Sequence, residues 1–354
     1  MTEKTLTVNA LAAKTWYWLK MNDTSVRVQR PEPLAVAAEG EVSPAAEPLA
    51  CVTGMGEELT GLLAESPATR MRVEAKAGEA QTVRLHLAPN AGATEAAVIN
   101  VRAAEGADLT LVMDCDRPAG AKGATVIAQT RLQLGKGAKV RLIQLWLNRG
   151  QDIVLNDIGA VCGEKADFAL SQIYLGAEKV YAGAEIALEG AKSQTEVRQT
   201  YQAEKNQRFD FNDNVRHIGR KTVCRIDVSG VLNDGASKLF RGTIDLQKGA
   251  VGADGAEYEN VLMLGEAASN QTIPLILCNE EDVKGNHGAT IGRLDEGLLF
   301  YLTSRGLSEE QVCEMIASAR LNAACEALGD PRAACQVMAY ANIDAPCGED
   351  RDDA

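Results

Sequence analysis

Aromatic residues make up only 4% of this 354-residue chain, and histidine occurs three times, at His86, His217 and His287. With so few rings, aliphatic side chains and alanine must build the core, and the chain is long enough for a large one. Cations are also in deficit: 36 Lys and Arg stand against 49 Asp and Glu, a net charge of −13. Nucleic-acid binders take their affinity from phosphate neutralisation, so this balance argues against that class. The one dense basic run, residues 215–225, is short. No run of 18 apolar residues exists, so no membrane-spanning helix is expected. The N-terminus lacks the basic-then-apolar pattern of a secretory leader. No P-loop GxxxxGK motif and no GxSxG elbow is present, so this chain is expected to bind no nucleotide by the first route and to hold no triad of the second kind. Nine cysteines are scattered without a CxxC pair. That argues against a disulfide framework and for reduced thiols in the cytoplasm.

What is present divides into three. Residues 1–69 read as a short helix within 3–21, a Pro/Ala/Glu-rich linker at 31–50 and a second helix at 56–66. Trp16 and Trp18 in the first segment read as a hydrophobic anchor for the terminus, with a docking segment as the alternative. Residues 70–294 carry short runs of period two, each introduced by a small-residue turn. The turn alanines Ala107, Ala138, Ala166 and Ala191 are spaced by 31, 28 and 25, with an echo near Ala236. Leu109, Leu111 and Met113 share one strand face, as do Thr222, Cys224, Ile226 and Val228. Units of this length without hairpin signals predict a mainly β solenoid, a β-helix, ahead of its rival, a β-sandwich. Residues 295–354 read as helices, with a capping box at Ser308 and Gln311, a stop at Gly329 and a disordered tail.

Few residues stand out as chemical candidates. His86 alternates with Val83, Leu85 and Leu87 and is expected on a polar strand face. His217 lies in the basic run and is expected to be solvated or at an interface. His287 sits in "VKGNHGATIG", after a strand and an acidic turn; Cys278 is nine residues upstream across that turn. Imidazole and thiolate suit iron, zinc and iron–sulfur chemistry, although a lone histidine among glycines is as readily a turn residue. Cys313, Cys325 and Cys335 fall on predicted helices at spacings too wide for a zinc motif, so they read as small buried side chains.

An ordered set of marks runs from 237 to 307. It comprises Ser237 with Phe240 and Gly242, Asn260–Leu264, Thr272–Pro274, Asp282–Lys284, His287–Thr290 and Phe300–Gly306. This segment resembles the C-terminal core of the SufB/SufD family of iron–sulfur cluster assembly proteins, on its SufD side. The segment at 15–23 is similar to an N-terminal signature of the family. The resemblance implies a right-handed parallel β-helix with short N-terminal and C-terminal α-helical segments. It further implies a non-catalytic scaffold that pairs, as heterodimer or homodimer, with a SufB/SufD-type subunit and works with a SufC-type ABC ATPase. The C-terminal helices would dock that ATPase, which makes Phe300, Tyr301, Arg305, Val312, Met315 and Ile316 its candidate contacts. A transient iron–sulfur cluster would be built at the subunit interface, with His287 as metal ligand and Cys278, Cys224 and Glu259 as further candidates. One departure stands out: Gly285 occupies the place where many SufD members carry a cysteine. A purely structural SufD-like subunit without a cluster site is therefore an alternative, and a β-helical carbohydrate-active enzyme is another.

Overall fold

From residue 69 to 293 the chain repeats one local event: a strand of alternating apolar residues, then a short turn. Each strand pairs in parallel with the next but one in sequence, as Thr125–Leu134 does with Ile153–Cys162 and Lys139–Leu147 with Asp167–Leu175. Two long sheets result, one of 10 strands and one of 9. They enclose a shared lumen, so the molecule is a parallel β-solenoid of about 8 turns. This computed structural model describes residues 3–15, 17–45, 47–118 and 120–343. The tail beyond 343, Cys347 included, lies outside those residues, as does Trp16.

The expected lumen rows are found. Leu109, Leu111, Met113, Cys224, Ile226 and Val228 all belong to one buried cluster that runs the length of the solenoid. Aliphatic residues and alanine dominate it, because each coil leaves room for small side chains stacked on the same kind of side chain one coil below.

The repeat is set by a turn that crosses from the first sheet to the second. In successive coils Gly78, Gly106, Gly137, Lys165, Lys192, Lys221 and Gly252 hold one position with positive φ. From Gly106 onward the amide N–H of each donates to the next coil: Gly106 to Lys136 O at 2.9 Å, Lys192 to Arg220 O at 2.8 Å, Lys221 to Val251 O at 2.9 Å. Two readings of the repeat change accordingly. Asp167 pairs with Gln194, so the partner of Ala166 is Ser193, not Ala191. Ala236 precedes the strand Ser237–Leu246 of the first sheet and so lies on the opposite edge.

The N-terminal segment departs from expectation. In place of a helix over 3–21, strand Glu3–Val8 pairs antiparallel with Thr24–Gln29. Between them lies one 3-10 turn, Tyr17–Leu19. Trp18 is 81% exposed and anchors nothing. The hairpin is held on the outer face of the first sheet by a buried ion pair. Arg241 donates to Asp210 Oδ1 at 2.6 Å and to Met21 O at 2.7 Å, and Thr24 Oγ1 donates to Asp210 Oδ2 at 2.5 Å. Helix α1, Glu57–Glu65, packs beneath the hairpin through Leu59, Leu62 and Leu63. The expected linker is a strap that contributes strand pairs Ala35–Glu39 and Ser43–Pro44 to the two sheets. The strap then lies on the first sheet so closely that a Cβ on Gly183 would meet the Gly54 carbonyl carbon at 2.6 Å.

At the other terminus α2 (Glu296–Thr303), α3 (Glu309–Ala327) and α4 (Pro331–Tyr340) return along the outer face of the second sheet. The capping box of α3 forms as expected, and Asp330 caps α4 ahead of Pro331. Ala317 and Ile316 of α3 pack on Val231 and Leu262 of the late coils. Helix α4 reaches the first coils, where Asp330 pairs with Arg84 at 2.7 Å and Gln336 donates to Asp114 at 3.1 Å. Cys325 is buried as expected, whereas Cys313 is only half-buried and Cys335 is disulfide-bonded, an exception to the expected reduced thiols.

Two outcomes follow. Lys192→Gly relieves a left-handed lysine and is expected to raise stability by roughly 0.5–1 kcal/mol in urea denaturation, whereas Lys192→Ala gives no gain. Arg241→Ala leaves Asp210 buried and uncompensated, with an expected loss of about 3–5 kcal/mol in the same measurement.

Candidate functional site

The stack of coils ends at strands Ser269–Cys278 and Lys284–Arg293, each last in its sheet. Among the described residues neither has a neighbour on its outer side, and no residue of either strand is buried. Ile291 is 45% exposed, although its partner one coil below, Val261, is buried.

His287 pairs in register with Glu257, and Gly285 with Gly255. Paired residues of parallel strands point to the same face, and residues two apart on a strand share it. Glu257 is buried in the lumen, so His287 and Gly285 stand on lumen-facing rows of a coil that the described residues leave uncapped. Cys278 pairs with the buried Leu246 and therefore shares this orientation. Its thiol is exposed, with Sγ 3.2 Å from Glu280 O. A Cβ on Gly285 would lie 3.4 Å from Leu246 Cδ1, which puts Gly285 and Cys278 at one corner of the last coil. The same Cβ would meet Ile276 Cγ2 at 2.9 Å, so any side chain at 285 requires Ile276 to shift.

The other two candidates lie deeper. Cys224 is in the same register column as Gly285, two coils below, with Gly255 between. It is fully buried, and burial pushes its thiol up to about 12. Glu259 is buried in an ion pair with Lys238 and accepts from Thr272 Oγ1 at 2.7 Å, so its oxygens are committed. Among the described residues no three His, Cys, Asp or Glu side chains converge as a metal site. The structure thus brings His287, Cys278 and Gly285 to one open end and leaves Cys224 and Glu259 inside.

Sequence reasoning missed Glu257, Asp213 and Lys238. Glu257 lies directly below His287, and burial, with Asp213 and Glu259 nearby, pushes its carboxyl up to about 8. Burial raises Asp213 to about 7, opposed by a hydrogen bond from Gln199. The signal was the alternation itself: Gly255, Glu257, Glu259 and Val261 share one parity, and two of the four are acidic. His217 is corrected. It is buried, facing the lumen, with Nδ1 2.8 Å from Thr222 Oγ1, and burial lowers it to about 4. It shares a parity with Phe211 and Val215 in Arg208–His217, which the surrounding basic residues conceal. His86 is on the outer face as expected, but it is paired with Asp114 at 2.5 Å.

The six helical candidates divide by face. Phe300, at 74% exposure, and Tyr301, Arg305 and Met315 point outward. Val312 is buried and Ile316 packs on the solenoid, so neither is open to a partner.

With this geometry in view, comparison with known proteins is decisive. The model of the family described as SUF system FeS cluster assembly, SufBD core domain, matches residues 86–320. The chain belongs to the SufB/SufD family. It is 35% identical over 107 residues to the iron–sulfur cluster assembly protein SufD of Bacillus subtilis, covering 30% of this chain and 24% of that one. To SufD of Escherichia coli it is 36% identical over 109 residues, 31% and 26% of the two chains. A chloroplastic SufBD family protein of Arabidopsis thaliana is 24% identical over 217 residues, 59% and 39% of the two. These matches therefore span about a quarter to two fifths of the relatives' lengths. Family membership leaves no ground for the carbohydrate-active reading. No helix among the described residues is long and apolar enough to cross a membrane.

The lumen groups make stability depend on pH. Glu257 and Asp213 hold their protons more tightly when folded, rising from 4.5 to about 8 and from 3.8 to about 7, so the stability they contribute is lost as pH rises through those windows. His217 falls from 6.5 to about 4, so its contribution is lost as pH drops between those values and offsets part of the carboxyl effect there. Urea midpoints should therefore fall as pH rises from about 6.5 to 8, and Glu257→Gln should reduce that fall.

Proposed function

We propose that this chain is a non-catalytic scaffold subunit of a cytoplasmic Suf-type complex that assembles iron–sulfur clusters. The uncovered last coil carries the proposal. It offers unpaired backbone groups on two strand edges, half-exposed apolar side chains and an imidazole, all facing one way. An edge of this kind is a template for pairing with another chain. A second SufB/SufD-type subunit, as heterodimer or homodimer, would cover it. The cluster is cargo, formed between His287 and groups of that partner. Cys278, at the corner of the missing cysteine, would supply the thiolate from this side, since thiolate and imidazole are both iron ligands. A SufC-type ATPase would dock on the outward face of α2 and α3 through Phe300, Tyr301, Arg305 and Met315, and its ATP hydrolysis would drive opening of the subunit interface.

Gly285 favours a second reading, in which the subunit stabilises the complex and holds no cluster. Anaerobic reconstitution of the complex with iron and sulfide, followed by visible absorbance, separates the two. On the scaffold reading, His287→Ala and Cys278→Ser each lower the cluster signal several-fold while subunit pairing persists; an unchanged signal in both supports the structural reading. Restoring the cysteine should need two changes, Gly285→Cys with Ile276→Ala, because of the close approach of Ile276. For the ATPase contact, Phe300→Asp is expected to abolish co-elution with the ATPase, whereas Val312→Ala, which changes a side chain turned inward, should retain it.

A further inference from the structure

A cavity of about 640 Å³ opens beneath the tip of the N-terminal hairpin, on the outer face of the first sheet. Its floor follows one register row, Tyr181, Asp210, Leu239 and Gln271, which crosses four adjacent strands. Asp210 is spent on Arg241, Asn9 and Thr24, so the floor that remains is the largely buried Tyr181 and Leu239 with the exposed Gln271. Three cations line the cavity, Lys14, Lys20 and Arg208, against one carboxylate, Asp23. None of the three makes a salt bridge among the described residues.

In a chain of net charge −13 such a gathering is contrary to the general balance. Like charges around a concave surface repel, and an anion seated among them relieves that repulsion and gains charge-assisted hydrogen bonds. The backbone reinforces the reading. Lys20 stands at φ 53, a left-handed conformation that costs a lysine about 1 kcal/mol and places this residue at the cavity wall. Tyr17 and Leu19, on the same turn, are exposed and complete the wall with apolar surface. A volume of this size suits a small organic molecule, and sites of this kind combine apolar walls with a few convergent polar groups.

We propose that this cavity binds a phosphorylated small molecule, its phosphate held by Lys14, Lys20 and Arg208 and its ring or apolar portion laid against Tyr17 and Leu19. The site lies on the outer face of the first sheet and borders the open end only through Gln271 of the last strand; it does not involve the lumen-facing His287 and Cys278.

Calorimetric titration of the full chain at low salt tests it, with adenosine monophosphate, inorganic pyrophosphate and adenosine as probes. Adenosine monophosphate and pyrophosphate are expected to bind with Kd of about 1 mM or tighter. Adenosine should bind at least about tenfold more weakly than its monophosphate. The double variant Lys20→Gln with Arg208→Gln should weaken the monophosphate by about tenfold or more with its melting temperature unchanged. If that variant does not fold, Lys14→Gln alone serves, with a smaller weakening expected. Absence of binding by both phosphate probes at about 10 mM overturns the proposal, as does undiminished binding to the folded variant. Pyrophosphate binding as tightly as the monophosphate overturns the part assigned to Tyr17 and Leu19.

Discussion

The constraint on which everything else rests is parallel pairing at a separation of one coil. A strand of the solenoid does not satisfy its backbone alone or with the strand that follows it; it depends on the strand a whole turn away. The two long sheets, the continuous lumen and the stacked left-handed turns are three expressions of that rule. The rule also guarantees an unfinished end. At the start of the stack, the short strands Ala35–Glu39 and Ser43–Pro44 close the sheets by antiparallel pairing. At the other end none of the described residues closes them, and there His287 is found. The functional reading is thus tied to an architectural necessity.

The lumen shows what this architecture tolerates. Most of it is aliphatic, but near the open end Asp213, Glu257, Glu259 and Lys238 are enclosed together. One ion pair, Lys238 with Glu259, satisfies two of the four. Burial raises the remaining two carboxyls, Glu257 to about 8 and Asp213 to about 7, the usual response of an acid without an internal cation. A protonated carboxyl beneath an exposed imidazole is a different environment from the ladder of buried amides, Gln144, Asn156, Gln172 and Gln199, that occupies the lumen a few coils away.

How much of this could be read from residues alone depends on whether one residue type was sufficient signal. The coil length was legible because a small residue, Ala107, Ala138 or Ala166, follows each left-handed position; it slipped at Ala191 because Gly190–Ala191 imitates that pair two positions ahead of Lys192 and Ser193. Cys224 and Ile226 were placed in the lumen correctly by alternation, and the same alternation would have placed His217 and Glu257 there had polarity not outweighed parity. The N-terminal hairpin was not legible at all. Its partner residues, Asp210 and Arg241, lie some two hundred positions away, and no local period encodes a contact of that range. The capping residue Ser308 was reliable because helix starts are set by chemistry within four residues. The family marks located His287 and Gly285, but only the register shows that they face the lumen beside Cys278.

One arrangement has a mechanical meaning of its own. The hairpin at the N-terminus runs along one outer face, from Val98 and Ile127 near the start of the stack to Leu239 and Gln271 near its finish. The helices at the C-terminus run along the other, from Leu262 back to Arg84. Solenoids held only by neighbour contacts fray one repeat at a time. Here two longitudinal braces join distant coils directly, so loosening any one coil strains contacts with several others. The molecule is built as a trussed beam, stiff along its axis, and a load applied at α2 is carried to the opposite end of the barrel.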